Sequence, residues 1–233
     1  MSNNSRRAPK VLLLHGWGGS YDKVWRATGF VSRLEAAGME PIAVDLPGHG
    51  RSRPSGDPAD YADLAKSVSL DLPDSGAMYG VGYSLGAKLL LEIERRSPGT
   101  FSRLVLAGLG GNVFAPEKLG DVVASALEQG VTQDTPAGVK ALVEYAISAG
   151  NDPLSVAACL RRSPNPVLSS KAISSVGCET LLVCGDRDSI ALPLEPLAEV
   201  FPRCQVELVP GVDHLHLPES DVFQRAALAF LAA

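Results

Sequence analysis

The sequence predicts an α/β fold: a doubly wound, mainly parallel sheet of about six strands with a small helical cap. Three observations predict it. Short apolar runs alternate with segments of helical spacing, as strands and crossover helices do. The apolar runs are near-continuous rather than alternating, which suits parallel strands covered on both faces. The alternation stops once, over residues 113–172, where helical patterns follow one another without a strand. The 233 residues fit one domain, since α/β folds run to about 250 residues as a unit.

The expected strands are 11–14, 41–46, 77–83, 104–109, 180–184 and 206–209, most of them ending in Gly, Asp or His. The expected helices between them are 23–37, 58–71, 85–96, 194–201 and 218–231. Right-handed crossovers then place helices on both faces of the sheet. The interruption carries helical patterns at 116–129, 136–149 and 154–162, punctuated by Gly, Pro and Asn. Residues 1–112 and 173–233 are therefore expected to form the core, and 113–172 a helical insertion.

Composition excludes several classes. With 21 Lys+Arg against 26 Asp+Glu, the net charge is −5, and the basic footprint of a nucleic-acid binder is missing. No apolar run approaches the roughly 20 residues of a membrane-spanning helix. The opening MSNNSRRAPK is polar and leads into an apolar run too short for a signal-peptide core. A cytoplasmic protein with no nucleic-acid and no membrane partner is expected; oligomeric state is left open. Cys159, Cys178, Cys184 and Cys204 are widely spaced, without a C-x-x-C pair, and read as inert core thiols rather than metal ligands. The glycine turn Gly80-Val81-Gly82-Tyr83-Ser84-Leu85 lacks the third glycine of a dinucleotide fingerprint, and no Gly-Lys pair offers a P-loop. No cofactor and no metal is implied.

The chemistry centres on Gly82-Tyr83-Ser84-Leu85-Gly86, a G-x-S-x-G pattern between a strand-like and a helix-like run. A serine hydroxyl is a poor nucleophile until a base withdraws its proton. A sharp strand-to-helix turn projects it, with the helix N-terminus aimed at the reaction centre. His15-Gly16-Trp17-Gly18-Gly19 directly follows the first strand. An oxyanion needs donors fixed before its charge develops, and the backbone N–H groups of Trp17 and Leu85 are the natural pair.

The base is sought among four histidines. His15 and His49 precede Ser84, whereas the elbow order is serine, acid, histidine. His214 and His216 remain, with His214 favoured because it follows the 206–209 strand in its loop. The acid is sought after the 180–184 strand, in Gly185-Asp186-Arg187-Asp188. Asp188 lies further into the loop and is preferred; Asp186 is the competing choice, as a turn cap. Asp213 reads as a turn residue.

Together, HGWGG at 15–19, DLPGHGRS at 45–52, GYSLG at 82–86, GDRD at 185–188 and GVDHLHLPE at 211–219 resemble the α/β-hydrolase superfamily. The resemblance implies Ser84 as nucleophile, His214 as base, Asp188 as orienting acid, and Trp17 and Leu85 as oxyanion donors. It also implies that 113–172 occupies the place of the family's cap, which shapes the acyl pocket. The antiparallel hairpin that often opens the family's sheet has no counterpart before residue 11, so all six strands are expected to be parallel. HGWG followed by Val24-Trp25 is similar to the biotin-pathway carboxylesterases; GYSLG with DLPGHGRS is also similar to the menaquinone-pathway lyases.

The leading expectation is a serine hydrolase cleaving an ester or thioester of a small to medium acyl substrate. The alternatives are a lyase using the same triad and a small-molecule sensor with little turnover. Arg161-Arg162 suits either an exposed helix end or a guide for an anionic substrate, the former being preferred.

Overall fold

A computed structural model describes residues 8–70, 72, 77–115, 119–165 and 167–233. The expected helix end at Asp71 and helix start at Pro116 lie outside these residues. The strands are β1 (Lys10–Leu14), β2 (Glu40–Val44), β3 (Met78–Tyr83), β4 (Phe101–Ala107), β5 (Glu179–Gly185) and β6 (Cys204–Val209). They form one sheet in the order β2-β1-β3-β4-β5-β6, with every adjacent pair parallel. The α-helices are α1 (Phe30–Ala36), α2 (Leu64–Leu70), α3 (Leu85–Arg96), α4 (Gly120–Gln129), α5 (Ala137–Ser148), α6 (Pro153–Leu160), α7 (Ser170–Ser174), α8 (Glu195–Ala198) and α9 (Asp221–Ala232).

The near-continuous apolar runs are explained by the layering. Successive strand residues point to opposite faces. Leu12, Leu14, Leu104, Leu106 and Leu182 face one side, where they meet α2, α3 and α7. Val11, Leu13, Val81, Val105 and Val183 face the other, against α1 and α9. There Trp25, Phe30 and Phe223 stack with ring centroids 5.6–6.5 Å apart. A third apolar cluster lies outside the sheet layers. It joins Val123 and Leu127 of α4, Val139 and Val143 of α5, and Val156 and Leu160 of α6. The two ends of this helical segment meet: the Leu168 N–H donates to the Val113 carbonyl at 3.2 Å.

Several expected boundaries move, each for a local reason. The helix expected at 23–37 is broken. A π-type turn over Asp22–Arg26 gives way at Gly29, which takes φ +82°, and α1 begins only at Phe30. That backbone region is open to glycine at little cost. The helices at 58–71 and 218–231 each begin with a 3-10 turn, Pro58–Tyr61 and Leu217–Glu219. The helix at 194–201 shortens to α8, beyond which the Val200 and Phe201 N–H groups bond only three residues back, to Leu197 and Ala198, before Pro202 stops the turn. Expected strands 41–46 and 104–109 shift to Glu40–Val44 and Phe101–Ala107. The second ends where Gly108 turns away at φ +62°. Cys204 is half-buried on the edge strand rather than in the core.

The topology fixes where a ligand can sit. From β1 the chain moves outward to β2, then returns across β1 to β3. Loops at the carboxyl ends of β1 and β3 therefore diverge, and crevices in open α/β sheets form at such a reversal. The register pairs Leu14 with Gly82, which sets the His15–Gly19 loop beside Ser84.

Behind that crevice two buried histidines join the loops after β1 and β2. The His15 Nε2 accepts from the Leu46 N–H at 3.0 Å, and its Nδ1–H donates to the Gly16 carbonyl. His49 binds the Pro47 carbonyl through Nδ1, with its ring 5.5 Å from that of His15. Burial, reinforced by the neighbouring His15, pushes the His49 imidazole from its ordinary 6.5 down to about 3. Below pH 6.5 the unfolded chain takes up a proton that the folded chain refuses. The stabilisation is therefore present above pH 6.5 and is lost as pH falls towards 3. Between pH 7 and pH 5 this one residue should lower the unfolding free energy by about 2 kcal/mol. Urea unfolding at the two pH values should show the loss, and His49→Gln should remove the His49 share of it, leaving that of His15, whose imidazole burial also lowers.

Candidate active site

Ser84 sits on the turn between β3 and α3, with φ +52° and ψ −113°. Among the described residues it is the one non-glycine with positive φ, a strained backbone held by its surroundings. Its N–H is fixed by the Ala107 carbonyl at 2.8 Å, and its own carbonyl accepts from Lys88 in the first turn of α3. The turn is possible because α3 begins almost in contact with the end of β1. A Cβ on Gly86 would lie 2.2 Å from the Leu14 carbonyl oxygen, so only glycine fits there.

Three side chains meet in line. The Ser84 Oγ lies 3.0 Å from His214 Nε2, and His214 Nδ1 lies 2.7 Å from Asp188 Oδ2. The acid fixes the tautomer: Nδ1 carries the hydrogen that Asp188 accepts, leaving Nε2 to accept from the serine hydroxyl. Asp188 is fully buried. Burial alone would raise its carboxyl. The His214 hydrogen bond and charge, with the Ala191 and Ile190 N–H groups, outweigh that and hold it below the ordinary range. Both of these amides donate to Oδ1 at 2.9 Å. Such a series can pass a proton from the hydroxyl to the imidazole and balance the cation that forms.

The competing residues are placed elsewhere. Asp186 accepts from the Gly211 N–H at 2.7 Å and so ties the β5 and β6 loops together. His216 is exposed and pairs with Asp213 at 2.7 Å. The backbone N–H groups of Trp17 and Leu85 make no hydrogen bond to protein among the described residues. Both residues line one cavity of about 540 Å³ together with Ser84 and His214. Leu119, Val123 and Leu142, from the segment between β4 and β5, line it too.

The match to a family model now bears on this geometry: residues 11–227 fit the alpha/beta hydrolase family. The chain belongs to the α/β-hydrolase family. It is therefore an enzyme of the hydrolase fold, and relatives named as esterases agree. The "Pimeloyl-[acyl-carrier protein] methyl ester esterase" of Nitrosospira multiformis is 24% identical, aligned over 89% of this chain and 88% of its own. The protein of that name from Methylococcus capsulatus is 37% identical over 102 residues, covering 44% of this chain but only 37% of the relative. Among solved structures, "MenH from S. aureus" superposes with a TM-score of 0.76 at 19% identity, over 99% of this chain and 96% of that one. No helix among the described residues is long and apolar enough to cross a membrane, and no cluster of metal-ligating side chains occurs among them.

Four contributors to this hydrolase site were missed or misplaced by the sequence reading. Tyr83, inside the elbow, donates from its hydroxyl to the His214 carbonyl at 2.7 Å and packs its ring on the imidazole. The Cys184 thiol donates to Asp188 Oδ2 at 3.4 Å, the oxygen that also holds His214. Arg162 is not an exposed helix end: it is 8% exposed and lines the cavity, whereas Arg161 pairs with Glu128 on the outer face. Asn151 is the fourth. Its Nδ2 donates to the Gly18, Gly19 and Ala146 carbonyls at 2.8, 3.2 and 3.1 Å, and its Oδ1 accepts from Gly50 at 2.8 Å. One buried amide thus links the α5–α6 turn to the loops after β1 and β2. The visible signal at this position, Asp152-Pro153, announces only a helix start.

Removing that amide leaves three buried carbonyls without their donor. Asn151→Ala should lower the unfolding free energy by roughly 1–3 kcal/mol. It should also speed amide hydrogen exchange at Trp17–Gly19 while sparing the β4 and β5 amides, as hydrogen-exchange mass spectrometry would read.

Proposed function

We propose that this hydrolase cleaves a carboxylic ester or thioester of a small to medium acyl substrate through an acyl-enzyme on Ser84. The observation that carries the reading is the Ser84–His214–Asp188 series, with contacts of 3.0 and 2.7 Å at the wall of the cavity. In this mechanism Ser84 Oγ attacks the acyl carbonyl while His214 Nε2 takes its proton. The N–H groups of Trp17 and Leu85 hold the oxyanion, assisted by the N-terminal end of α3. Asp188 keeps the imidazole oriented and balances its charge. His214 then protonates the departing alcohol or thiol. Water, deprotonated by the same nitrogen, releases the acid and restores Ser84.

The reading includes the division of the chain. Residues 1–112 and 173–233 form the catalytic core, and 113–172 the cap that roofs the cavity. The separate apolar cluster of α4, α5 and α6 and the Leu168–Val113 contact support that division. Ester cleavage is also what the names of the pimeloyl-[acyl-carrier protein] methyl ester esterases describe for those relatives. The proposed setting is cytoplasmic, which four cysteines outside any disulfide suit.

A fluorophosphonate probe should label Ser84, located by peptide mass spectrometry, and Ser84→Ala should abolish labelling. His214→Ala and Asp188→Asn should each slow hydrolysis of p-nitrophenyl esters by about a thousandfold or more. Labelling that persists in Ser84→Ala, or that His214→Ala leaves at the wild-type rate, contradicts the mechanism.

A further inference from the structure

We propose that the outer edge of β6 docks a second copy of this chain, the two β6 strands pairing antiparallel about a twofold axis at Val206.

β6 ends the strand order, and among the described residues no strand pairs with its outer side. The ladder to β5 decides which of its groups face outward. The Thr180 N–H donates to the Arg203 carbonyl, and the Asp186 N–H to the Val209 carbonyl. In a parallel ladder alternate residues bond the same neighbour. The odd-numbered residues of β6 therefore bond β5, and Cys204, Val206 and Leu208 turn their N–H and carbonyl groups away from it.

An open row of this kind is a template for another strand, and proteins blunt it with proline, lysine, a bulge or a cover. The opposite edge of this sheet is blunted. In β2 the Glu40 N–H donates to the Pro9 carbonyl, so residues 41 and 43 face outward, and Pro41 has no N–H to offer. β6 holds neither proline nor lysine, and its register with β5 runs unshifted from Cys204 to Val209.

The side chains on this edge fit a copy of themselves, as a twofold interface requires. Val206 and Leu208 are 47% and 48% exposed, and Cys204 lies half-buried on the same face. With Val206 on the axis, it meets the partner's Val206, and Leu208 meets the partner's Cys204. These are apolar cross-strand pairs, and each outward N–H on the two strands finds a carbonyl. On the other face Gln205 comes opposite the partner's Glu207. Arg203 stands on the diagonal to that carboxylate, within reach of a long side chain.

Prolines set the register. Pro202 and Pro210 stand four residues to either side of Val206, both at outward-facing positions. With Val206 on the axis they lie opposite each other, beyond the last bonded pair. A slip of two residues brings a proline opposite Leu208 in one direction and opposite Cys204 in the other, and a bond is lost in each. The second slip also sets Glu207 against its own copy, like charge to like.

Sedimentation velocity from about 1 to 100 µM protein should show a reversible monomer–dimer equilibrium, with Kd on the order of 10 µM, as suits a small interface. Val206→Lys sets like charges across the axis and should raise Kd by about tenfold or more. Its circular dichroism and thermal midpoint should stay near wild type, since the side chain is half-exposed. Glu207→Arg should weaken the dimer similarly, and adding Arg203→Glu should restore most of it. A dimer formed on another face would show no such rescue. By NMR at about 200 µM, the Cys204 and Leu208 amides should exchange about tenfold more slowly in wild type than in Val206→Lys. The Gln205 and Glu207 amides, already bonded to β5, should change little.

A chain that stays monomeric at about 100 µM overturns the proposal. A dimer that neither Val206→Lys nor Glu207→Arg weakens overturns it as well, by assigning the contact to another face. None of these readouts uses a substrate, so each result stands apart from the esterase reading.

Discussion

The close approach of α3 to the end of β1 is the constraint on which the rest of this structure depends. Because Gly86 lies against the Leu14 and His15 carbonyls, the chain can turn within one residue from β3 into α3. That turn forces Ser84 into a backbone region most residues avoid, and it lifts the hydroxyl above the carboxyl edge of the sheet. The same contact brings the N-terminus of α3 beside the loop after β1. The Leu85 and Trp17 amides thereby come to share one cavity wall. The reversal of strand order at β1 and β3 supplies the crevice, and the parallel ladder through β4, β5 and β6 brings Asp188 and His214 to its other side.

Rigidity around the crevice comes from polar ties that cross between layers. Asn151 joins the α5–α6 turn to the carbonyls of the first loop and to Gly50. Ser155 adds bonds to the Gly48 carbonyl and the Tyr61 hydroxyl, and the Trp17 indole donates to the Val156 carbonyl. The helices above the sheet are thus fastened to the loops after β1 and β2 through buried groups, which in a low-dielectric interior are costly to break. Tyr83 and Cys184 do the same beneath the imidazole, one holding the His214 backbone and the other the Asp188 carboxylate.

The parts of this fold that were legible in the sequence are those written locally. Six apolar runs, their parallel pairing and the strand–turn–helix around Ser84 depend on residues close together in the chain. His214 and Asp188 could be narrowed because each follows its own strand. Asp186 lost to Asp188 by its contact with Gly211, which no local pattern announces. Gly29 broke a helix whose apolar spacing ran straight through it, since spacing does not report backbone handedness. Asn151 meets Gly18 across 133 residues, and Arg162 differs from Arg161 only by the rotation between consecutive positions at a helix end. Such features are set by tertiary contact, so their signal lies in the fold and not in the neighbouring letters.

The meeting of Leu168 with Val113 has a consequence for how such a molecule can change over time. A segment that leaves and re-enters the body at adjacent points can be lengthened or shortened for little more than the entropy of closing a longer loop, so long as the buried ties of Asn151, Ser155 and Val156 are kept. The register between β4 and β5 is untouched by such a change, because the pairing of Ala107 with Val183 is made below the junction. Change in the segment between β4 and β5 can therefore reshape the cavity wall that Leu119, Val123 and Leu142 form, while the alignment of Ser84, His214 and Asp188 is inherited unaltered from the loops of the sheet.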